Sequence, residues 1–444
     1  MKENRRQDII TYVFMLGIGV WFYFLPGEWL CIEDDSIRYL SEGGEGVLPG
    51  YPAFLAFFRL LFSEQYFLHA VVVAQSLLAV ICTFLFVVVL KGQFHLRRIE
   101  CILLYLFSML PFSIYLPESG ITHQIMTEGI TYALFYLFFS VVIKTVWTLE
   151  YKWYFGSVAM ALLLGLTRSQ MLFLIVVCVI LLLWIIYKKA GGKALLGLCM
   201  CCLVLLGCVV GLFWQRIENS ASQLNTVIMA RGFFEADKED VELFDDGMMQ
   251  EIFLRTYELA DENGRRYEHA KPGLYMWQDL VYDRMNLFAL QAIGEYDEKY
   301  LDERSRNEAS IIFELGFKTL LRHFDRYFYH SIRLMMPSFI ASVFFQIEPI
   351  YLLCHFVALF IYLFAVSGSV FVGKTGGDRK VVELMVSIVS IMLIMIVMIN
   401  MLFIGLQRYM VYGMGIFYCA MYLLCKEIVC IFLRTGKLNK GERK

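Results

Sequence analysis

The chain has 444 residues, 59% hydrophobic and 18% charged, with a net charge of −2 and a mean hydropathy of +0.62. Soluble globular domains run nearer half apolar and a quarter charged, so the composition argues against an ordinary soluble enzyme. No basic stripe stands out, which argues against nucleic acid as a partner. The 12 cysteines do not outline a disulfide scaffold, because none falls between Gly211 and Phe345, where the largest polar segment lies. Cys199, Cys201 and Cys202 sit inside an apolar run and read as packing residues rather than metal ligands.

In chain order, apolar runs such as Ile9 to Leu25, Phe67 to Leu90 and Met171 to Tyr187 are long enough to cross a bilayer. Backbone groups in lipid must bond internally, so these runs are expected to be helices. The first follows Lys2, Arg5 and Arg6 like a signal peptide, yet it is long and no small-x-small cleavage site follows it. It reads as a retained first membrane helix. Basic clusters at Lys2/Arg5/Arg6, Lys91/Arg97/Arg98, Lys144/Lys152, Lys188/Lys189/Lys193, Lys374/Arg379/Lys380 and Arg434 to Lys444 alternate with gaps poor in Lys and Arg. The positive-inside rule assigns the clusters to the cytoplasm and the other gaps to the outer face. The expectation is an all-α polytopic protein of the cell membrane, with about ten transmembrane helices and both termini cytoplasmic. The expected spans are 9–26, 66–90, 99–116, 129–147, 154–167, 170–187, 194–215, 348–372, 381–404 and 408–430. Basic clusters flank the run from Tyr154 to Tyr187 on both sides, so parity requires a hairpin there, with Arg168 at its outer tip.

Four regions follow: an N-terminal transmembrane module (1–215) with a first outer loop at 27–65, an outer-face domain (216–326), C-terminal transmembrane helices (327–434) and a tail (435–444). The 216–326 segment holds 23 acidic and 14 basic residues, against 18 acidic and 25 basic in the rest of the chain. Long loops cross membranes largely regardless of charge, so its acidity does not vote on topology. Short amphipathic runs, Tyr282 to Ile293 and Glu308 to Phe328, predict a mainly helical domain. His323, Asp325, Arg326 and His330, interleaved with Phe324, Tyr327, Phe328 and Tyr329, read as an interfacial helix with an aromatic belt.

The first outer loop carries most of the chemistry. Glu33, Asp34 and Asp35 precede Ser36, Ile37, Arg38 and Tyr39, followed by a Gly43–Gly46 turn and by Pro49-Gly50-Tyr51-Pro52. A carboxylate at the membrane surface can serve as general base toward an acceptor hydroxyl. The plainer reading is that Asp35 or Ser36 caps a short helix. Downstream, Glu128 opens a membrane helix, where a carboxylate is favoured by the helix dipole in any case. Arg168 and Arg408 fall at outer ends of spans, where a charge is costly enough to suggest function, although either can snorkel to headgroups. Val372-Gly373-Lys374-Thr375-Gly376 lacks the upstream glycine and the preceding strand of a phosphate loop, so nucleotide-driven chemistry has no visible site.

The order of these features resembles the GT-C glycosyltransferases, among them protein mannosyltransferases, the lipid A aminoarabinose transferase and bacterial relatives. Asp35 to Tyr39 is similar to the family's acid-to-tyrosine spacing, and Pro49 to Pro52 to its proline-rich entry. Met126-Thr127-Glu128-Gly129, Gly165-Leu166-Thr167-Arg168 and Gln407-Arg408-Tyr409 resemble later family segments in the same order. The resemblance implies transfer of a sugar from a polyprenyl-phosphate donor to a glycan, lipid or protein acceptor, with inversion. Asp35 would be the base, with Asp34 the second candidate because Ser36 stands where the family often has an acid. Arg168 and Arg408 would hold the donor phosphate, while Arg38, Tyr39, Tyr51, Glu128 and Tyr409 would line the substrate site. The resemblance fixes no cofactor. Some members hold a divalent metal cation and others do not, and Glu128 with His123 would be its ligands here. The alternatives are a polysaccharide polymerase or ligase using outer-loop Arg and His, or a transporter of lipid-linked glycans.

Overall fold

The computed structural model describes residues 2–24, 29–40, 48–114, 120–189, 207, 223–266, 285–300, 308–344, 351–402 and 407–441. The expected span at 194–215 (residue 207 apart), its Cys199, Cys201 and Cys202, and the Gly43–Gly46 turn lie outside the described residues. So do the side chains of Asp34, Asp35 and Arg408.

The described chain is helical, with a single isolated β-bridge, Cys31 to Gln124. The N-terminal half forms α1 (Lys2–Phe24), α2 (Asp34–Leu40), α3 (Gly50–Leu61), α4 (Phe67–Phe94), α5 (Arg98–Ile114), α6 (Glu128–Thr148), α7 (Tyr151–Thr167) and α8 (Phe173–Lys189). A polar unit follows, built from α9 (Gln223–Phe233), α10 (Gly247–Glu262), α11 (Met285–Lys299) and α12 (Glu308–Arg322). Then come α13 (Phe324–Val343), α14 (Tyr351–Lys374), α15 (Arg379–Leu402), the short α16 (Gln407–Met410) and α17 (Met414–Gly441).

Among the described residues, six helices are long and apolar enough to cross a membrane: Phe67–Phe94, Glu128–Thr148, Ser169–Lys189, Leu353–Lys374, Arg379–Met401 and Val411–Arg434. The expected spans 99–116 and 154–167 are occupied by α5 and α7, of 17 residues each, and the expected span 9–26 by α1. The hairpin around Arg168 forms: α7 ends at Thr167, Arg168 is extended, and a 3-10 turn, Ser169–Leu172, leads into α8.

Tertiary contacts sort the helix ends into two groups. At one end Lys91 pairs with Asp8 at 2.6 Å, Lys426 with Glu100 at 2.6 Å, and Lys189 donates to the Leu149 carbonyl at 2.7 Å. Phe94 meets Trp147 edge-on at 5.5 Å, and Asp378 N–H donates to Glu427 at 3.1 Å, so the basic clusters share this end. At the other end lie α2, α3, the start of α4, the start of α6, the Arg168 turn and the start of α17. They are tied by Gln75, Thr122, Gln124, Tyr132 and Tyr412. Between the two ends runs one hydrophobic core that includes Phe86, Phe135, Phe139, Leu181, Met392 and Phe417.

The polar unit has its own core, with Phe233, Phe253, Phe288, Ile312 and Leu315 buried together. Its helices α9 and α12 cross at Gly232 and Gly316 with backbone against backbone. A Cβ at Gly316 would lie 2.6 Å from the Met229 Cα, so neither position tolerates a side chain without separating the helices. Helix α13 belongs to both cores: Leu334 packs in the polar unit, and Ile340, Ala341 and Val343 in the bundle.

This two-ended sorting is open to chemical labelling. Cysteines introduced at the exposed Lys152 and Arg379 should react with a membrane-impermeant maleimide from the same side of sealed vesicles, and one at Glu64 from the opposite side. The unsubstituted protein gives the background. Labelling of all three from one side would contradict the arrangement.

Candidate functional site

The end opposite the basic clusters is built around a buried ion pair. Glu128 is the first residue of α6, where its carboxylate faces the positive end of the helix dipole. Its Oε2 lies 2.5 Å from Arg168 Nη1 and accepts from the Thr127 hydroxyl at 3.0 Å. Arg168 Nη1 also donates to Thr127 Oγ1 at 2.5 Å, and Nε donates to Gln170 Oε1 at 2.7 Å. Arg168 is 9% exposed and Glu128 2%. Removing two charges from water is offset only by close pairing with further hydrogen bonds, and Thr127 and Gln170 supply them. Arg168 reaches this position because α7 stops one residue before it, turning the side chain back toward the start of α6.

Aromatic rings close around the pair. The Tyr409 ring stands 4.8 Å from the Arg168 guanidinium carbon, a cation–π contact inside the protein. Tyr39 and Tyr412 lie within electrostatic reach of the same guanidinium. Tyr39 meets Tyr51 edge-on at 5.2 Å, and Tyr412 packs on Tyr132 at 4.1 Å. The buried Tyr51 donates its hydroxyl to Gln75 Oε1 at 2.9 Å. Gln75 Nε2 donates in turn to the carbonyls of Thr122 and Gln124 at 2.8 and 3.0 Å. Two glycines permit this closeness. A Cβ at Gly129 would lie 2.6 Å from Gln75 Cδ, and one at Gly50 would lie 2.7 Å from the Leu166 carbonyl oxygen.

Helix α2 brings Asp34 and Asp35 to this end of the molecule as its first two residues. Ser36 is buried and its hydroxyl accepts from the Glu33 N–H at 2.9 Å, so the capping role falls to Ser36. Tyr39 and Leu40 pack against the cluster of Tyr51, Leu55, Phe67 and Val71, which fixes α2 on α3 and α4. Arg38 is exposed on α2.

Two expectations change. Arg168 was expected as an outward guanidinium for a donor phosphate. It is instead nine-tenths buried and already paired, so a phosphate would share it with Glu128. Glu128 and His123 were expected as cation ligands. Glu128 is engaged by Arg168 and Thr127, and the His123 ring lies flat on Trp29 at 5.7 Å. Among the described residues no three His, Cys, Asp or Glu side chains gather to hold a metal ion.

Sequence reasoning passed over Gln75, Gln170, Tyr412 and Trp29. Gln75 had a signal, as an amide inside the apolar run Phe67 to Leu90, where a polar side chain needs a partner. Gln170 lies two residues beyond Arg168, while Tyr412 and Trp29 are indistinguishable in sequence from aromatic-belt residues. His323 and His330, read above as part of an interfacial helix, turn inward. His323 Nε2 lies 2.7 Å from Asp240, and His330 Nδ1 bonds Glu235. Phe324, Phe328 and Tyr329 of the same helix are exposed.

Comparison with protein-family models, with curated proteins and with solved structures yields no match.

The ion pair carries a stability prediction. Glu128→Gln leaves the guanidinium buried without its carboxylate and should destabilise the protein by about 3–5 kcal/mol. Arg168→Gln should do likewise. The double variant should lose clearly less than the sum of the two, as read from thermal unfolding in detergent. Strict additivity would show that the two side chains do not depend on each other.

Proposed function

We propose that this chain is a membrane glycosyltransferase of GT-C type, moving a sugar from a polyprenyl-phosphate donor to an acceptor hydroxyl. The observation that carries the reading is a convergence. Five short segments resemble the family, at 35–39, 49–52, 126–129, 165–168 and 407–409, and they lie far apart in sequence. Their residues meet at one end of the bundle, through Tyr39 on Tyr51, Gly50 on Leu166, Glu128 on Arg168 and Arg168 on Tyr409. A shared reaction site asks for that juxtaposition, whereas independent helix caps and lipid anchors do not.

In this reading the basic end faces the cytoplasm, with both termini, and the site opens at the outer face of the cell membrane. The Asp35 carboxylate takes the acceptor proton as the acceptor oxygen bonds to the anomeric carbon. The bond from that carbon to the phosphate oxygen breaks on the opposite face, inverting the centre and releasing polyprenyl phosphate. Charge grows on the leaving phosphate, and preorganised cations help most where charge develops. Arg168, with its plane held by Glu128, Thr127 and Gln170, and Arg408 supply them. The polar unit between the two sets of membrane helices would recognise the acceptor.

The test is genetic and analytical. Surface glycans and glycolipids are compared by mass spectrometry in cells lacking the protein and in cells rescued with wild type or Asp35→Asn. One sugar should vanish on deletion, return with wild type and stay absent with Asp35→Asn expressed at wild-type level. Full rescue by Asp35→Asn would remove Asp35 as the base.

A further inference from the structure

Helix α15 is buried at Ile396, Ile399 and Asn400. The backbone carbonyls of Asn400 and Met401 are reached by side chains of other helices. Arg231 of α9 donates from Nη2 to the Asn400 carbonyl at 3.4 Å and also to the Ser331 hydroxyl. The Tyr327 hydroxyl of α13 donates to the Met401 carbonyl, and the Arg231 guanidinium lies over the Tyr327 ring at 4.9 Å. The Asn400 amide is held by Ser338 at 2.9 Å and by the Ile396 carbonyl at 2.7 Å.

This grip is anchored from behind. Two residues past the end of α9, Glu235 bonds His330 of α13, and the Gly232–Gly316 crossing fixes α9 to α12. Burial pushes the Arg231 guanidinium below its usual range, with Tyr327 and Glu235 opposing that shift. A cation of the polar unit is thus buried against the backbone of α15 at Asn400. Eight and nine residues further on, the chain delivers Tyr409 to Arg168.

We propose that Arg231 and Tyr327 are positioning residues: by gripping the Asn400 and Met401 carbonyls they set the placement of the 407–413 segment against the Arg168–Glu128 pair. The polar unit and the site are then one mechanical system, and a molecule bound to the first alters the second. The geometric half stands on contacts alone, whereas the effect on turnover rests on the glycosyltransferase reading.

Hydrogen–deuterium exchange on the full chain in nanodiscs tests it. Arg231→Met should speed exchange in peptides covering 399–413 by about tenfold, the scale expected for losing a charge-assisted hydrogen bond. Peptides of α4 and α6 should be unchanged. Arg231→Lys keeps a cation at the Asn400 carbonyl and should restore most of the protection, which a mere packing role would not predict. If Arg231→Met fails to fold, Tyr327→Phe reads the same segment with the ring retained. Wild-type protection of 399–413 in Arg231→Met, or in Tyr327→Phe where that variant stands in, overturns the proposal. In the glycan rescue assay, Arg231→Met should slow product formation and Arg231→Lys should not. Faster exchange with undiminished product would sever the polar unit from the site. If wild type itself restores no glycan, the glycosyltransferase reading fails, and the exchange result still decides the positioning role.

Discussion

The arrangement at the functional end depends on placing one arginine where water is scarce. A guanidinium removed from solvent is tolerable only with a carboxylate at contact distance and donors and acceptors in register. For Arg168 these are Glu128, Thr127 and Gln170. The requirement propagates outward. Glu128 must stand at the first turn of α6, α7 must stop at Thr167, and the chain must turn through a short 3-10 segment before α8 begins. Three helix boundaries are set by one pair of charges. Tyr409 can use the face of the guanidinium only because the edges are occupied.

The same demand for satisfied polar groups explains the neighbouring architecture. Gln75 lies in the middle of an apolar helix face and is stable there because both its donor and acceptor functions are used, by Tyr51 and by the carbonyls of Thr122 and Gln124. Those carbonyls belong to the irregular segment before α6, which has no helical partners of its own. One glutamine therefore ties α3, α4 and that segment into a single block, and Gly129 lets α6 approach it. Helix α2, with Asp34 and Asp35 at its start, is seated on this block through Tyr39.

Local features of the fold were legible in the sequence where they obey a local rule. The long apolar runs became helices, the hairpin at Arg168 followed from basic residues on both sides of one run, and the short helix after Glu33 followed from its capping residues. Partnerships were not legible. Glu128 and Arg168 were both nominated, one for substrate or metal and the other for phosphate, but that they neutralise each other depends on the relative placement of α6 and α7. The inward turn of His323 and His330 escaped for the same reason, since their acids lie in a separate stretch of chain, at 235–240. Periodicity reports which face of a helix is apolar, but it carries no information about which distant side chain will meet a polar one on that face. Arg231 left a trace, as a single charge within the apolar stretch from Val227 to Phe234, and a buried charge in such a stretch requires a partner.

Two buried cationic clusters flank one stretch of backbone. Arg231 grips the chain at Asn400 with Tyr327 beside it at Met401, and Arg168 meets it at Tyr409. Buried ionic groups are poor stabilisers, because well-packed apolar side chains of similar size often do as well or better. Packing alone, however, is tolerant of direction. A guanidinium aimed at a carbonyl, or laid flat on a tyrosine ring, fixes both angle and distance. Stability therefore does not account for charges placed on both sides of this segment, and orientation does. Asn400 and Met401 are thereby tied to the polar unit, and Tyr409 to the pair at the head of α6.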